Sequence, residues 1–176
     1  MKSISDKVVY QNGPLKLREL IFEDNKGKTR KRNLLEMGCD AVVIVPQNAT
    51  GDYLLCTQTR QGMENPGYEF PSGGIEGSEN PIDAARRELL EETGSISSRL
   101  EYKGSFVPLL GLVDLTVHIV YAYDVVQDLS KQELEGHEDI STEWLSKDRL
   151  YELMNSGIIR CGYVSSALKF EDFDPR

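Results

Sequence analysis

The stretch GGIEGSENPIDAARRELLEETGS, residues 73 to 95, decides how this chain folds and what it can bind. Gly73 is followed by five residues and Glu79, then by seven more and the run Arg87-Glu88-Leu89-Leu90-Glu91-Glu92-Thr93-Gly94. Seven positions of fixed type at this spacing, each of ordinary abundance, coincide by chance on the order of once in 10⁸ starts. Asn80-Pro81 predicts a helix start, since asparagine caps free N–H groups and proline suits the first helical position. Ile82, Ala85 and Leu89 recur at helical spacing, and Gly94 is placed to end the helix in a left-handed turn. On that helix Glu88, Glu91 and Glu92 stand at i, i+3 and i+4 and share one face. Three carboxylates so close repel each other unless cations join them, and oxygen ligands suit hard ions such as Mg²⁺ or Mn²⁺. An isolated RELLEE run would be a solvated face. The Gly-Gly lead-in and Glu79, eight residues before Arg87, argue instead for a metal site.

Written out, the pattern is G-x5-E-x7-R-E-U-x-E-E-x-G, with U aliphatic. It resembles the Nudix box, the signature of hydrolases that cleave nucleoside diphosphates linked to another moiety. The family carries an aliphatic residue after the last glycine, where this chain has Ser95 and then Ile96. A shifted loop is expected there, with the chemistry intact. The resemblance implies an α/β Nudix fold, a mixed sheet sandwiched between helices, over roughly residues 38 to 170. It also implies metal ligands at Glu88, Glu91 and Glu92, with Gly73, Glu79, Arg87 and Gly94 as structural support. Glu79 and Arg87 are expected to pair and orient the loop and helix from behind the metal.

Ahead of the box, Gln58-Thr59-Arg60-Gln61 and Tyr68-Glu69-Phe70-Pro71-Ser72-Gly73-Gly74 look like the lead-in of ADP-ribose and nucleoside-diphosphate-sugar pyrophosphatases. Tyr68 and Ser72 replace that branch's tryptophan and alanine. The likeness implies that the Ser72 carbonyl is a further metal ligand and that Arg60 and Glu69 bind substrate, the guanidinium near the diphosphate. Tyr68 and Phe70 read as packing residues. Pro108 and Gly111 stand apart, so the branch's proline-glycine segment is only partly present. The base for the attacking water is expected from a loop glutamate before the penultimate strand. Gly136-His137-Glu138-Asp139-Ile140 fits, which makes Glu138 the candidate base beside the catalytic carboxylates Glu91 and Glu92. Glu135 and Glu133 are neighbours that could substitute. A coenzyme A branch matches less well, since Leu54-Leu55-Cys56-Thr57-Gln58 echoes its lead-in imperfectly.

The function expected is Mg²⁺-dependent hydrolysis of a nucleoside diphosphate sugar, ADP-ribose first, to a nucleoside monophosphate and a sugar phosphate. The alternatives are a nucleoside triphosphate or diadenosine polyphosphate hydrolase, or a Nudix-fold sensor without catalysis. The sensor is disfavoured because every box carboxylate is present and no helix-turn-helix region is left over.

The rest of the chain is consistent with one domain and an appendage. Its 176 residues allow a proper core. Residues 1–37 are expected to form an N-terminal antiparallel β extension and residues 38–176 the Nudix domain. In the likeness, such an extension is a dimerisation element, with Tyr10 and Phe22 as weak candidates to contact the base. A homodimer is therefore expected. The formal charge of −9 disfavours nonspecific nucleic-acid binding. Lys26 to Arg32 is a basic run that reads as a solvated hairpin tip. No stretch has membrane-spanning length or signal-peptide character, so a cytoplasmic location and no membrane partner are expected. Cys39, Cys56 and Cys161 are odd in number and unclustered, and two lie in apolar strand-like runs. Buried free thiols are expected, and neither His118 nor His137 completes a zinc-spaced set.

Strands are predicted at 7–11, 15–22, 28–35, 39–45, 53–59, 104–109, 115–125 and 140–145. Further helices are predicted at 147–155 and about 164–170.

Overall fold

The structure is a computed structural model that describes residues 2–59, 67–134 and 139–171. In chain order the strands are β1 (Lys2–Asn12), β2 (Leu15–Glu23), β3 (Thr29–Glu36), β4 (Ala41–Pro46), β5 (Tyr53–Gln58), β6 (Gly67–Glu69) and β7 (Ser72–Gly74). Helix α1 (Pro81–Thr93) follows, then β8 (Ser95–Ile96), β9 (Arg99–Phe106), β10 (Val113–Asp114), β11 (Val117–Tyr123) and β12 (Val126–Gln127). A 3₁₀ turn (Leu129–Lys131), β13 (Ile140–Leu145), α2 (Lys147–Asn155) and α3 (Gly162–Leu168) complete the fold. The class is α/β, as the sequence implied.

The chain divides into two compact units. The first comprises Met1–Asp40 and a returning segment, Phe106–Val117. Its sheet runs β1-β2-β3-β10, antiparallel except for the short parallel pairing of β10 with β3. The β2–β3 turn is built by Asp24, whose Oδ1 accepts from the backbone N–H groups of Lys26 (2.9 Å) and Lys28 (3.0 Å). Of the basic run, Lys26 and Lys28 sit at the hairpin tip, whereas Arg30 to Arg32 lie in β3, with Arg30 paired to Asp24 at 2.8 Å and Lys31 to Glu19. β1 is longer than predicted. An edge strand needs only one neighbour for its ladder, so its polar sequence was no obstacle to pairing with β2 over most of its length.

The second unit, Ala41–Ser105 with His118–Arg176, holds the helices. β4 reads Ala-Val-Val-Ile-Val-Pro, and Val42 to Val45 are wholly buried because this strand lies between β7 and β11 in a sheet of order β7-β4-β11-β9. A strand covered on both faces needs no alternation. Ala84, Ala85 and Leu89 of α1 pack onto Val42, Ile44, Val120 and Ala122; Ala85 and Leu89 belong to the predicted stripe, whereas Ile82 is only partly buried and Ala84 takes its place in the core. A three-stranded sheet of order β13-β5-β6 stands beside it. β13 and α2 have the predicted bounds.

Two expectations are corrected. The strand predicted at 104–109 begins instead at Arg99 and ends at Phe106, and Leu109 to Leu112 form a turn closed by Leu112 N–H donating to Leu109 O at 3.0 Å. Leu100 and Tyr102 alternate with charged residues, which marks a sheet edge rather than a core run. Cys39 is exposed, since it precedes β4 and follows the left-handed Gly38 (φ +88°), whereas Cys56 is buried.

Candidate active site

Local rules set the frame of the site. The Asn80 side chain accepts from the N–H groups of Ile82 (2.9 Å) and Asp83 (3.1 Å), so α1 is capped where predicted. At its far end Gly94 takes φ +62°, and a Cβ there would stand 2.3 Å from the Asp128 carbonyl oxygen. Glycine is demanded twice over, by conformation and by space.

Between β7 and the carboxylate face of α1 lies a cavity of about 360 Å³, lined by Ser72, Gly73, Gly74, Glu88, Glu91 and Glu92, with Glu76, Arg87 and Glu133 completing its walls. Gly73 belongs there for a steric reason. A Cβ at this position would meet Glu88 Oε1 at 1.8 Å, so the strand's bare backbone is what admits the glutamate. Glu92 is 9% exposed, and its Oε2 accepts from the Ser72 backbone N–H at 2.9 Å. That contact fixes the peptide at Ser72 against the carboxylate face. The Pro71 carbonyl in turn accepts from the Ile44 N–H at 2.9 Å, which anchors the lead-in to β4.

Arg87 organises the acids. Its Nε and Nη2 donate to the two Glu79 oxygens, each at 3.0 Å, in a bidentate pair. Nη2 also reaches the Gly74 carbonyl at 2.9 Å, and Nη1 donates to Glu88 Oε1 (2.7 Å) and Glu91 Oε2 (3.1 Å). The expected pairing of Glu79 with Arg87 is present, and it ties the loop after β7 to the helix. The Arg87 hydrogen bonds, then the Glu76 N–H, hold the Glu79 carboxyl below its usual range. The Arg87 guanidinium is held yet more firmly protonated, chiefly by Glu79 and then by Glu88 and Glu91.

One guanidinium thus serves Glu79, Glu88 and Glu91, while Glu92, Glu76 and Glu133 share the cavity. Among the described residues no three His, Cys, Asp or Glu side chains form a ready metal cage. Arg87 Nη1 itself stands between Glu88 and Glu91. The donor chemistry nevertheless fits a hard divalent ion: among the described residues the cavity walls offer carboxylate oxygens and backbone carbonyls, with no sulfur or imidazole.

The structure brings Ser72, Gly73, Glu88, Glu91, Glu92 and Arg87 together. It places Glu69 on β6, opposite Cys56 of β5, away from the walls of this cavity. Arg60, Glu135 and Glu138 lie outside the described residues. Phe70 packs in the core, whereas Tyr68 is only partly buried. Tyr68 hydroxyl donates to Glu143 at 3.0 Å, and Phe70 is buried against Tyr53. Ser95 is buried and opens β8, its hydroxyl donating to the Thr93 carbonyl at 3.3 Å. Glu76 on the cavity wall was missed by the sequence reading. No spacing rule selects it, because its place depends on the turn after β7.

A family model described as NUDIX domain matches residues 37–160. The chain belongs to the Nudix family. It is a hydrolase of the Nudix pyrophosphatase kind. It is 28% identical over 175 residues to the ADP-ribose pyrophosphatase of Bacillus subtilis (strain 168), covering 97% of this chain and 94% of that one. It is also 30% identical over 181 residues to the methanol dehydrogenase activator of Bacillus methanolicus, covering 96% and 95%. Among solved structures, a crystal structure of an ADP compounds hydrolase superposes with a TM-score of 0.83 at 22% identity, covering 97% of this chain and 92% of its own. That likeness shows the fold. No described helix is long and apolar enough to cross a membrane.

Proposed function

We propose that this Nudix enzyme hydrolyses the diphosphate linkage of a nucleoside diphosphate sugar, with ADP-ribose as the first substrate to try. The observation that carries the reading is the convergence of Glu88, Glu91 and Glu92 on one cavity, where Arg87 Nη1 donates to Glu88 and Glu91. A diphosphate brought alone would be repelled. Glu88, Glu91, Glu92 and the Ser72 carbonyl would hold Mg²⁺, or Mn²⁺ in its place, which supplies charge neutralisation at the non-bridging phosphate oxygens when bound.

The chain's own parts divide the remaining work. Arg87 orients Glu88 and Glu91. Buried Glu92, held by the Ser72 N–H, keeps the strand and the helix at a fixed separation. Glu133 offers a carboxylate on the cavity wall, and Glu138 remains our candidate for the base that takes the proton of the attacking water. Arg60 and Glu69 are proposed on the substrate side, and the strands before Gly38 as the element through which a homodimer forms. The full-length likeness to an ADP-ribose pyrophosphatase supports the choice of substrate.

The test is a panel of ADP-ribose, GDP-mannose, diadenosine polyphosphates and dNTPs with Mg²⁺. Turnover of ADP-ribose to AMP and ribose 5-phosphate is expected. Cleavage of dNTPs with no turnover of sugar nucleotides would sink the reading.

A further inference from the structure

A helix leaves its last four carbonyls without intrahelical donors, and their partial negative charge accumulates at that end. For α1 the problem is acute. Its last turn carries Glu91 and Glu92 and no basic residue. The segment from Gln127 to Glu133 answers it residue by residue. Glu91 O accepts from the Glu133 N–H at 2.9 Å, and Glu92 O from the Gln132 side-chain amide at 2.7 Å. Thr93 O accepts from the Gln127 side-chain amide at 3.0 Å, and Gly94 O from the Asp128 N–H at 3.0 Å. Four successive carbonyls are satisfied by one seven-residue strap.

Two of those donors are main-chain and survive any substitution except proline. The other two are glutamines that also grip β13. Gln127 Nε2 donates to Thr142 Oγ1 (2.9 Å) and its Oε1 accepts from Trp144 Nε1 (3.1 Å). Gln132 Nε2 reaches the Ile140 carbonyl at 3.3 Å. The two are not equivalent. Gln127 holds Thr93, which is buried and faces away from the cavity chemistry, whereas Gln132 holds the carbonyl of Glu92, whose carboxylate lines the cavity.

We propose that Gln132 is a positioning residue: by joining the Glu92 carbonyl to the first residue of β13, it sets where the Glu91 and Glu92 carboxylates stand and screens them from the negative end of their own helix. The inference rests on the metal-binding reading above. Partners of metal ligands contribute about 10–100-fold in metal affinity when removed, so the effect is measurable without turnover.

The experiment compares Gln132→Met, which keeps length and removes the donor, with Gln127→Met as the structural control. Mn²⁺ is titrated into each protein in the absence of substrate, free Mn²⁺ being followed by electron paramagnetic resonance, and each is melted. Both variants should melt below wild type. Only Gln132→Met should bind Mn²⁺ about tenfold more weakly, with a fall in kcat and little change in KM. Gln132→Asn, too short to span both carbonyls, should not rescue. Equal Mn²⁺ affinity in the two variants, within twofold of wild type, would overturn the proposal and leave Gln132 a packing residue. Wild-type protein that takes up no Mn²⁺ would instead overturn the metal reading itself, so the two failures are distinguishable.

Discussion

The two units use the same chemical pair, a carboxylate and a cation, to different ends. In the first, carboxylates and cations pair along the sheet and its turn: Lys16 with Glu36 at 2.6 Å, Arg30 with Asp24 at 2.8 Å, Lys31 with Glu19, and Arg18 with both Asp6 and Glu36. These pairs face solvent, where screening and side-chain entropy leave each with little net worth. At the cavity of the second unit one cation serves several acids. Arg87 is shared among Glu79, Glu88 and Glu91 at 3.1 Å or less, and further carboxylates stand in the same cavity. A balanced ledger of charge marks a surface that needs nothing more. Carboxylates gathered on the walls of a cavity mark a place that a cation can enter.

The sharpest way to break this contrast is at Glu92. Replacing it by Gln keeps the shape and an acceptor for the Ser72 N–H, and removes one charge from the acidic side. We expect kcat to fall on the order of a hundredfold or more, with far-ultraviolet circular dichroism unchanged. Steady-state kinetics with Mg²⁺ check it, and unchanged turnover would show that the acidic excess is ornamental.

A smaller effect should appear in acid. The Glu79 carboxyl titrates below its unfolded value of 4.5 because Arg87 holds it. Between the depressed folded value and 4.5 the unfolded chain binds more protons, so stability rises with pH across that window. The contribution is therefore present above pH 4.5 and is lost as pH falls through the folded value. Thermal melts at stepped pH should show Glu79→Gln flatter than wild type across that range. Parallel curves would mean that the pair carries no linkage.

The smallest effect is predicted for the first unit. Arg30→Ala should move the melting temperature by about a degree or less, since exposed pairs contribute little. A large drop there would erase the distinction between the two kinds of charge.

What could be read from the sequence follows the range of the forces involved. The cap at Asn80, the left-handed stop at Gly94, the carboxylate face and the Glu79–Arg87 pair all depend on residues within about two turns of each other or on a short loop. Local propensity and spacing therefore suffice. The placement of β9 did not yield to the same reasoning. Gly104 looks like a strand start, yet it lies inside β9 at φ +137° with the Phe170 ring 2.8 Å from where its Cβ would be. A partner 66 positions away leaves no local trace. The same holds for the strap: Gln127 and Gln132 are unremarkable in sequence and become specific only when β13 and the end of α1 converge on them. Nor does any pattern announce that Phe106–Val117 returns to the first unit's sheet.

The peptide group joining Pro71 to Ser72 has a consequence of its own. Its oxygen takes a proton donor from Ile44 in the core strand, and its N–H gives one to Glu92 in the cavity. The two bonds polarise each other through the amide, as links in a chain do. An electrical event at Glu92 is therefore transmitted, through one planar unit that cannot twist, to the backbone of a strand whose Val42 to Val45 are wholly buried. The hydrophobic interior works here as an anvil, against which the charge of the site is held in place.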